Sequence, residues 1–113
     1  KHIRGALINA RSAGVNPSLI VYDARRLDEL GVEAEVVVTN PPYGIRSSRP
    51  GYVRRLYLEF LCALKRAGIG KACIITGSPH LMDEAIKKVG FSPSEIRYVM
   101  HGNLPARIYL LRV

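Results

Sequence analysis

Apolar residues recur every three to four positions in three stretches of the chain, which is the spacing of one buried helix face. The first stretch begins at Ile3 and is followed by Gly14, a residue type that commonly ends helices. The second covers residues 52–67, and the third runs over residues 81–89. The pattern predicts three amphipathic helices, together with a short helical turn over residues 25–30.

Three short runs of β-branched and other apolar residues alternate with these helices, at residues 19–23, 34–39 and 72–76. Such runs, bounded by turn-forming residues, are typical of strands that are buried on both faces of a parallel sheet. Two further runs, residues 95–101 and 106–113, have no helix between them and therefore predict an antiparallel hairpin. We expect an α/β protein with a mostly parallel sheet and a C-terminal antiparallel hairpin.

The segment Thr39-Asn40-Pro41-Pro42-Tyr43 ends the second of these strands. Ligands of open α/β sheets bind beyond the carboxyl ends of the strands, so Asn40 lies where a site is expected. The Asn40 side-chain oxygen and the Pro41 carbonyl can both accept a hydrogen bond from one amino group. Pro42 restricts the residue before it, and the Tyr43 ring offers a face on which a base can stack. These groups suit a flat base with an exocyclic amino group, although Asn-Pro and Pro-Pro also occur in ordinary turns.

Composition and charge narrow the choice of partner. The 113 residues form at most one domain, 48% of them are apolar, and 17 Lys and Arg against 9 Asp and Glu give a net charge of +8. This excess favours a polyanion such as RNA, although basic charge can also serve solubility alone. No apolar window reaches the roughly 18 residues of a membrane span, so no membrane partner is predicted. Cys62 and Cys73 are expected to be reduced, and the sequence has no metal-binding pattern.

The longer segment from Thr39 to Arg46 resembles the Asn-Pro-Pro-Tyr motif of class I, Rossmann-like methyltransferases that use S-adenosylmethionine. It is most similar to the RNA guanine-N2 methyltransferases, whose complete chains often carry a THUMP domain. In that family the Asn side chain and the first Pro carbonyl bind the target amino group, and the aromatic ring stacks on the flipped base. The resemblance implies these roles for Asn40, Pro41 and Tyr43. It includes Pro42 in the catalytic motif and places Asn40 beside the cofactor as well.

Four more residues acquire expected roles through this resemblance. Asp23 and Ala24 follow a predicted strand, as do the residues of the family that bind the adenine of the cofactor. An Asp at this position can also cap the helical turn that follows. Arg46 and Arg49 are near the motif in sequence, and we expect them to bind RNA phosphates or to remain as solvated loop charges.

The resemblance also implies that residues 1–113 are a partial catalytic domain. The family fold has seven strands in the order 3-2-1-4-5-7-6, and the predicted strands correspond to the third to the seventh. The first two strands and the glycine-rich loop that holds the methionine end of the cofactor have no counterpart. We expect the parent chain, another subunit or self-association to supply them, and we expect this piece alone to be inactive.

The sequence thus predicts an enzyme that transfers a methyl group from S-adenosylmethionine to RNA, with guanine N2 of tRNA as the expected target. Two other substrates fit the same motif, namely guanine in ribosomal RNA and adenine in DNA. A different class of function is a non-catalytic fragment that binds RNA or a partner and lacks the cofactor loop. The expected location is the cytoplasm.

Overall fold

The computed structural model describes residues 2–42 and 49–112. In chain order the elements are helix α1 (His2–Ser12), a 3-10 helix (Ala24–Leu30), β1 (Val36–Thr39), α2 (Pro50–Arg66), β2 (Lys71–Thr76), α3 (Pro79–Val89), β3 (Ser92–His101) and β4 (Leu104–Arg112). The three predicted helices, the helical turn and the hairpin are confirmed. Helix α2 begins two residues before its predicted start, because proline is well tolerated in the first turn of a helix.

The described strands form one sheet of four in the order β1-β2-β4-β3. Strand β1 runs parallel to β2, with Thr39 opposite Ile74, whereas β4 is antiparallel to both β2 and β3. The hairpin turns at Gly102, whose φ of 65° is a conformation that glycine adopts at little cost. This order is 4-5-7-6 in the numbering that the resemblance implies, and the mixed architecture confirms the predicted fold class.

The hydrophobic core lies between one face of the sheet and the helices α2 and α3. Strand β2 alternates along its length, so that Ala72, Ile74 and Thr76 are buried on the helix side. The core side chains form a single cluster, which includes Tyr57, Leu61 and Leu64 from α2, Met82 and Ile86 from α3, and Tyr109 and Leu111 from β4. Helix α2 therefore packs on the sheet, and one of its faces lies beside the end of β1.

Strand β1 is less buried than its sequence predicts. Val37 packs against the core, but Val36 and Val38 on the opposite face are 49% and 76% exposed. The prediction of a strand buried on both faces was wrong for the described part of the chain. Strand β1 is the edge of the sheet, and no described helix covers Val36 and Val38.

The prediction of a strand at residues 19–23 was also wrong. These residues belong to no strand, and Ile20, Val21 and Tyr22 are 57%, 81% and 44% exposed. A strand needs a neighbour to pair its backbone N–H and C=O groups, and none of the described strands pairs with this segment. Helix α1, which precedes it, likewise has no buried residue.

Candidate functional site

A cleft of about 290 Å³ opens where β1 ends. Its size is near the lower limit of small-molecule sites, about 300 Å³. The lining comes from three places in the chain, namely the start of the 3-10 helix, the end of β1 and one face of α2: Ala24, Thr39, Asn40, Pro41, Pro42, Leu56, Tyr57 and Phe60. The structure therefore brings Ala24 together with Asn40, Pro41 and Pro42 in one cleft.

The cleft wall is apolar on the helix side and polar at the end of β1. Phe60 is 7% exposed and belongs to the hydrophobic core, and Leu56 packs against that core. Asn40 is an exposed residue at this end of the strand. An apolar wall facing a few polar groups is the usual composition of a site for a flat organic ligand.

Tyr57 holds the second proline of the motif in place. Its hydroxyl donates a hydrogen bond of 2.5 Å to the Pro42 carbonyl and lies 2.7 Å from the Thr76 hydroxyl oxygen. The Tyr57 side chain is buried, at 1% exposure, and Thr76 is fully buried. The sequence analysis did not single out Tyr57 and missed this contact. The available signal was that a tyrosine on the apolar face of a helix needs a partner for its hydroxyl.

Asp23 caps the 3-10 helix. One carboxylate oxygen accepts the backbone N–H of Arg25 at 3.0 Å, and both oxygens accept from the Arg25 guanidinium, the shortest distance being 2.6 Å. The side-chain hydrogen bonds from Arg25, together with the backbone bond, lower the pKa of Asp23 to about 2. Asp23 is therefore ionised at neutral pH and next in sequence to Ala24 of the cleft wall. The cap that was the alternative to cofactor binding is present, and the cofactor role itself stays a prediction.

Arg25 joins this carboxylate to α2. Its guanidinium lies 3.7 Å from the Glu59 carboxylate and 5.9 Å from the centre of the Tyr52 ring. The 3-10 helix is also tied to the end of α2, because Arg66 donates to Asp28 at 3.0 Å. These contacts fix the position of Ala24 relative to α2, and so fix the width of the cleft.

Three predicted site residues are not among the described residues that line the cleft: Tyr43, Arg46 and Arg49. Tyr43 and Arg46 lie outside the described residues. Arg49 is exposed immediately before α2 and makes no side-chain cap for that helix. Within the described ranges, no group of three or more His, Cys, Asp and Glu side chains could hold a metal ion. Cys62 and Cys73 are free thiols of intermediate burial.

The sequence of residues 1–107 matches the family described as "RMKL-like, methyltransferase domain". The chain belongs to this family. The resemblance to Rossmann-like RNA methyltransferases that the motif indicated is thereby confirmed.

Relatives of this RMKL-like methyltransferase domain agree with that assignment. The chain is 36% identical to the tRNA (guanine(6)-N2)-methyltransferase of Methanocaldococcus jannaschii over 115 residues, which cover 98% of this chain and 30% of that protein. It therefore spans about 30% of the length of this curated relative.

Solved structures share the same fold. TrmN from Thermus thermophilus superposes with a TM-score of 0.78 at 26% identity, over 95% of this chain and 32% of that one. The structure of SMU.472 complexed with SAH has the same fold at 23% identity, with a TM-score of 0.71 over 97% of this chain and 28% of that one. Within the residues that the structure describes, no helix is long and apolar enough to cross a membrane.

Proposed function

We propose that the complete protein containing this chain transfers a methyl group from S-adenosylmethionine to the exocyclic amino group of guanine N2 in tRNA. The observation that carries the proposal is the cleft at the end of β1, where Asn40, Pro41 and Pro42 meet Ala24 and the apolar wall of α2. Membership of a methyltransferase family and the name of the Methanocaldococcus relative support the reaction and the substrate.

The end of β1 supplies the acceptors that an amino nucleophile needs. The Asn40 side-chain oxygen and the Pro41 carbonyl accept its two N–H groups, which draws the nitrogen lone pair out of conjugation and directs it outward. Tyr43 is assigned to stack on the base after it has been flipped from the RNA. Attack by the nitrogen would break the bond between the methyl group and the sulfonium, leaving S-adenosylhomocysteine, and the cationic nitrogen would then lose its proton to solvent. Positioning and charge stabilisation then supply the rate enhancement without a covalent intermediate.

The other side of the cleft suits the adenosine part of S-adenosylmethionine, which supplies an electrophilic methyl group on a sulfonium. Leu56 and Phe60 offer apolar surface for the adenine ring, and Ala24 leaves room beside it. Asp23 is assigned to accept the adenine amino group, a role that needs an ionised carboxylate. The Asp23 carboxylate meets that requirement at neutral pH, as an aspartate of ordinary pKa also would.

The basic charge of the chain suits an RNA substrate. A net charge of +8 attracts phosphates over several ångströms and makes the affinity dependent on salt. Arg46 and Arg49 are assigned to phosphates on either side of the flipped nucleotide. We place the reaction in the cytoplasm, where tRNA is available.

The parent chain is proposed to supply the first two strands of the family fold, together with the glycine-rich cofactor loop. The exposed apolar residues Val36 and Val38 on β1 and Ile20 and Val21 before the 3-10 helix are the surface that these strands would cover. Another subunit or a second copy of the chain would cover the same surface. Measuring the oligomeric state of the complete protein distinguishes these two sources from the parent chain. Without that part we expect the 113-residue chain to be inactive.

Radiolabelled methyl transfer with the complete protein tests the proposal. Purified protein is given labelled S-adenosylmethionine and, in separate reactions, transcripts of tRNA, transcripts of ribosomal RNA, and DNA. We expect label in tRNA and a loss of about 100- to 1,000-fold in kcat for Asn40→Ala, as for removal of one preorganised hydrogen-bonding group elsewhere. Label only in ribosomal RNA or DNA would replace the substrate, and no label in any of them would reject the reaction.

Calorimetry with S-adenosylmethionine separates cofactor binding from chemistry. Asp23→Ala should weaken binding of the cofactor, whereas Asn40→Ala should act mainly on turnover. A filter assay with RNA at low and high salt addresses the non-catalytic alternative. RNA binding that falls with salt, without any binding of the cofactor to the complete protein, would favour an RNA-binding module over an enzyme.

A further inference from the structure

We propose that Tyr57 and Thr76 are positioning residues that hold the Asn40-Pro41-Pro42 motif in its working conformation for methyl transfer. The inference rests on the proposed function, and it assigns a role in that reaction to two buried hydroxyl groups outside the motif. The pair is buried almost completely, at 1% exposure for Tyr57 and 0% for Thr76.

The proton arrangement of this pair follows from its partners. The Pro42 carbonyl can only accept, so the Tyr57 hydroxyl must use its single proton in the 2.5 Å bond to it. The Thr76 hydroxyl, 2.7 Å from the Tyr57 oxygen, must then donate its own proton to Tyr57. One of the two lone pairs of the Thr76 hydroxyl oxygen accepts the backbone N–H of Ser78 at 3.0 Å. The chain of bonds therefore runs in one direction, from Thr76 through Tyr57 to Pro42.

The sheet register brings Thr76 to this point. Thr39 is the last residue of β1 and lies opposite Ile74 of β2. Strand β2 continues for two more residues, so Thr76 lies at the edge from which residues 40–42 leave the sheet. Tyr57 approaches the same point from α2. The motif is thus attached to a strand and a helix, which are more rigid supports than a loop.

Anchoring the Pro42 carbonyl determines the backbone of the whole motif. The ring fixes φ of Pro42 near −65°, and the bond from Tyr57 fixes ψ by holding the carbonyl. Pro41 is restricted as well, because it precedes a proline. Asn40 also precedes a proline, so the backbone that carries the Pro41 carbonyl and the Asn40 side chain is restricted before the substrate arrives. Such preorganisation matters because a misplacement of about 1 Å costs about 100-fold in rate.

The test uses the complete protein and compares two buried tyrosines. Tyr57→Phe removes the hydroxyl and keeps the ring. Tyr109→Phe is the matched control, because Tyr109 is also fully buried and its hydroxyl also lies near a proline carbonyl, 3.1 Å from that of Pro79 and 2.7 Å from the Asp83 carboxylate. Tyr109 is not among the residues that line the cleft.

We expect Tyr57→Phe to lower kcat about 10- to 100-fold, a range set by the cost of misplacing a reacting group by up to an ångström. The dissociation constant for S-adenosylmethionine should change by no more than about twofold, because the anchored carbonyl belongs to the amino-group side of the site. Tyr109→Phe should lower the melting temperature and leave kcat near the wild-type value. A purely structural role for Tyr57 would not separate kcat from cofactor affinity in this way.

Substitutions of Thr76 give an independent measurement. Thr76→Ser keeps the donating hydroxyl and should retain most of the wild-type kcat. Thr76→Val keeps the shape without the hydroxyl and should lower kcat in the same sense as Tyr57→Phe. Since both act on one carbonyl, the double variant Tyr57→Phe/Thr76→Val should be no slower than the slower single variant.

The outcomes separate this inference from the proposed function. A wild-type protein that methylates none of the nucleic acids tested rejects the proposed function before any variant is compared. An active wild type with equal kcat in Tyr57→Phe and Tyr109→Phe overturns the positioning role and leaves the function intact. If Tyr57→Phe does not fold, the Thr76 pair decides, and equal kcat for Thr76→Ser and Thr76→Val overturns the role.

Discussion

Val38 provides a direct measurement of whether another part of the protein covers β1. Its side chain is 76% exposed in the described part of the chain, and burying a whole valine stabilises a fold by about 1.5–3 kcal/mol. Covering the exposed part of the Val38 side chain would therefore stabilise the fold by about 1–2 kcal/mol. The substitution Val38→Thr keeps the β-branched shape, and burial of its hydroxyl without a partner adds a cost of about 1–3 kcal/mol.

These magnitudes predict different results in two proteins. In the 113-residue chain Val38→Thr should change the free energy of unfolding by no more than about 0.5 kcal/mol, as is usual at exposed positions. In the complete protein it should cost about 1–3 kcal/mol. Val37→Thr is the matched control on the same strand, because Val37 packs against the core and should be destabilised in both proteins.

Urea unfolding followed by circular dichroism gives these free energies from the midpoint and slope. A complete protein in which Val37→Thr is destabilised and Val38→Thr is not would refute the proposal that the parent chain covers β1. If Val38→Thr instead strongly lowered the free energy of unfolding of the 113-residue chain, residues within these 113 would have to cover β1. Dependence of the midpoint on protein concentration would then identify self-association as the cause.

Two further predictions concern pH. The pKa of Asp23, about 2, is below the value of about 3.9 expected in an unfolded chain, so its pairing with Arg25 stabilises the fold above pH 4 and is lost as the pH falls through 2. The stability difference between wild type and Arg25→Met should thus be larger at pH 5 than near pH 2, and a constant difference in urea titrations over that range would contradict it. Burial, with a hydrogen bond to Asp83, raises the pKa of Tyr109, so the folded state retains this proton after the unfolded chain has lost it. The free energy of unfolding should therefore fall as the pH rises above about 10, and Tyr109→Phe should make that fall smaller. In an ultraviolet titration, Tyr109→Phe should also remove the tyrosine that ionises at the highest pH. An unchanged titration would show that Tyr109 ionises normally.

The helices, the hairpin and the location of the motif could be read from the sequence because each depends on neighbours in the chain. The apolar face of α2 has a period that only a helix satisfies, and Gly102 allows the turn between β3 and β4. The position of Asn40 directly after β1 was predicted correctly, because the prolines that follow it end the strand. Local pattern was sufficient in these cases.

Features that depend on distant partners were not predictable in the same way. Residues 19–23 have a strand-like composition, but a strand forms only where another strand pairs with it. The same reasoning applies to Val38, because an apolar side chain in the sequence does not reveal whether another element packs over it. The bond from Tyr57 to Pro42 joins residues 15 positions apart, and its existence depends on how α2 lies against the end of β1. In each case the deciding information was the arrangement of other elements.

The position of β4 has a consequence for synthesis on the ribosome. Among the four described strands it comes last in sequence, yet it lies between β2 and β3 and provides their only connection within the sheet. While the ribosome is still making residues 104–112, β1 can already pair with β2, but β3 has no neighbour among the described strands. A premature stop before Leu104 would therefore leave β3 with no strand beside it, and we expect proteases to degrade the truncated product.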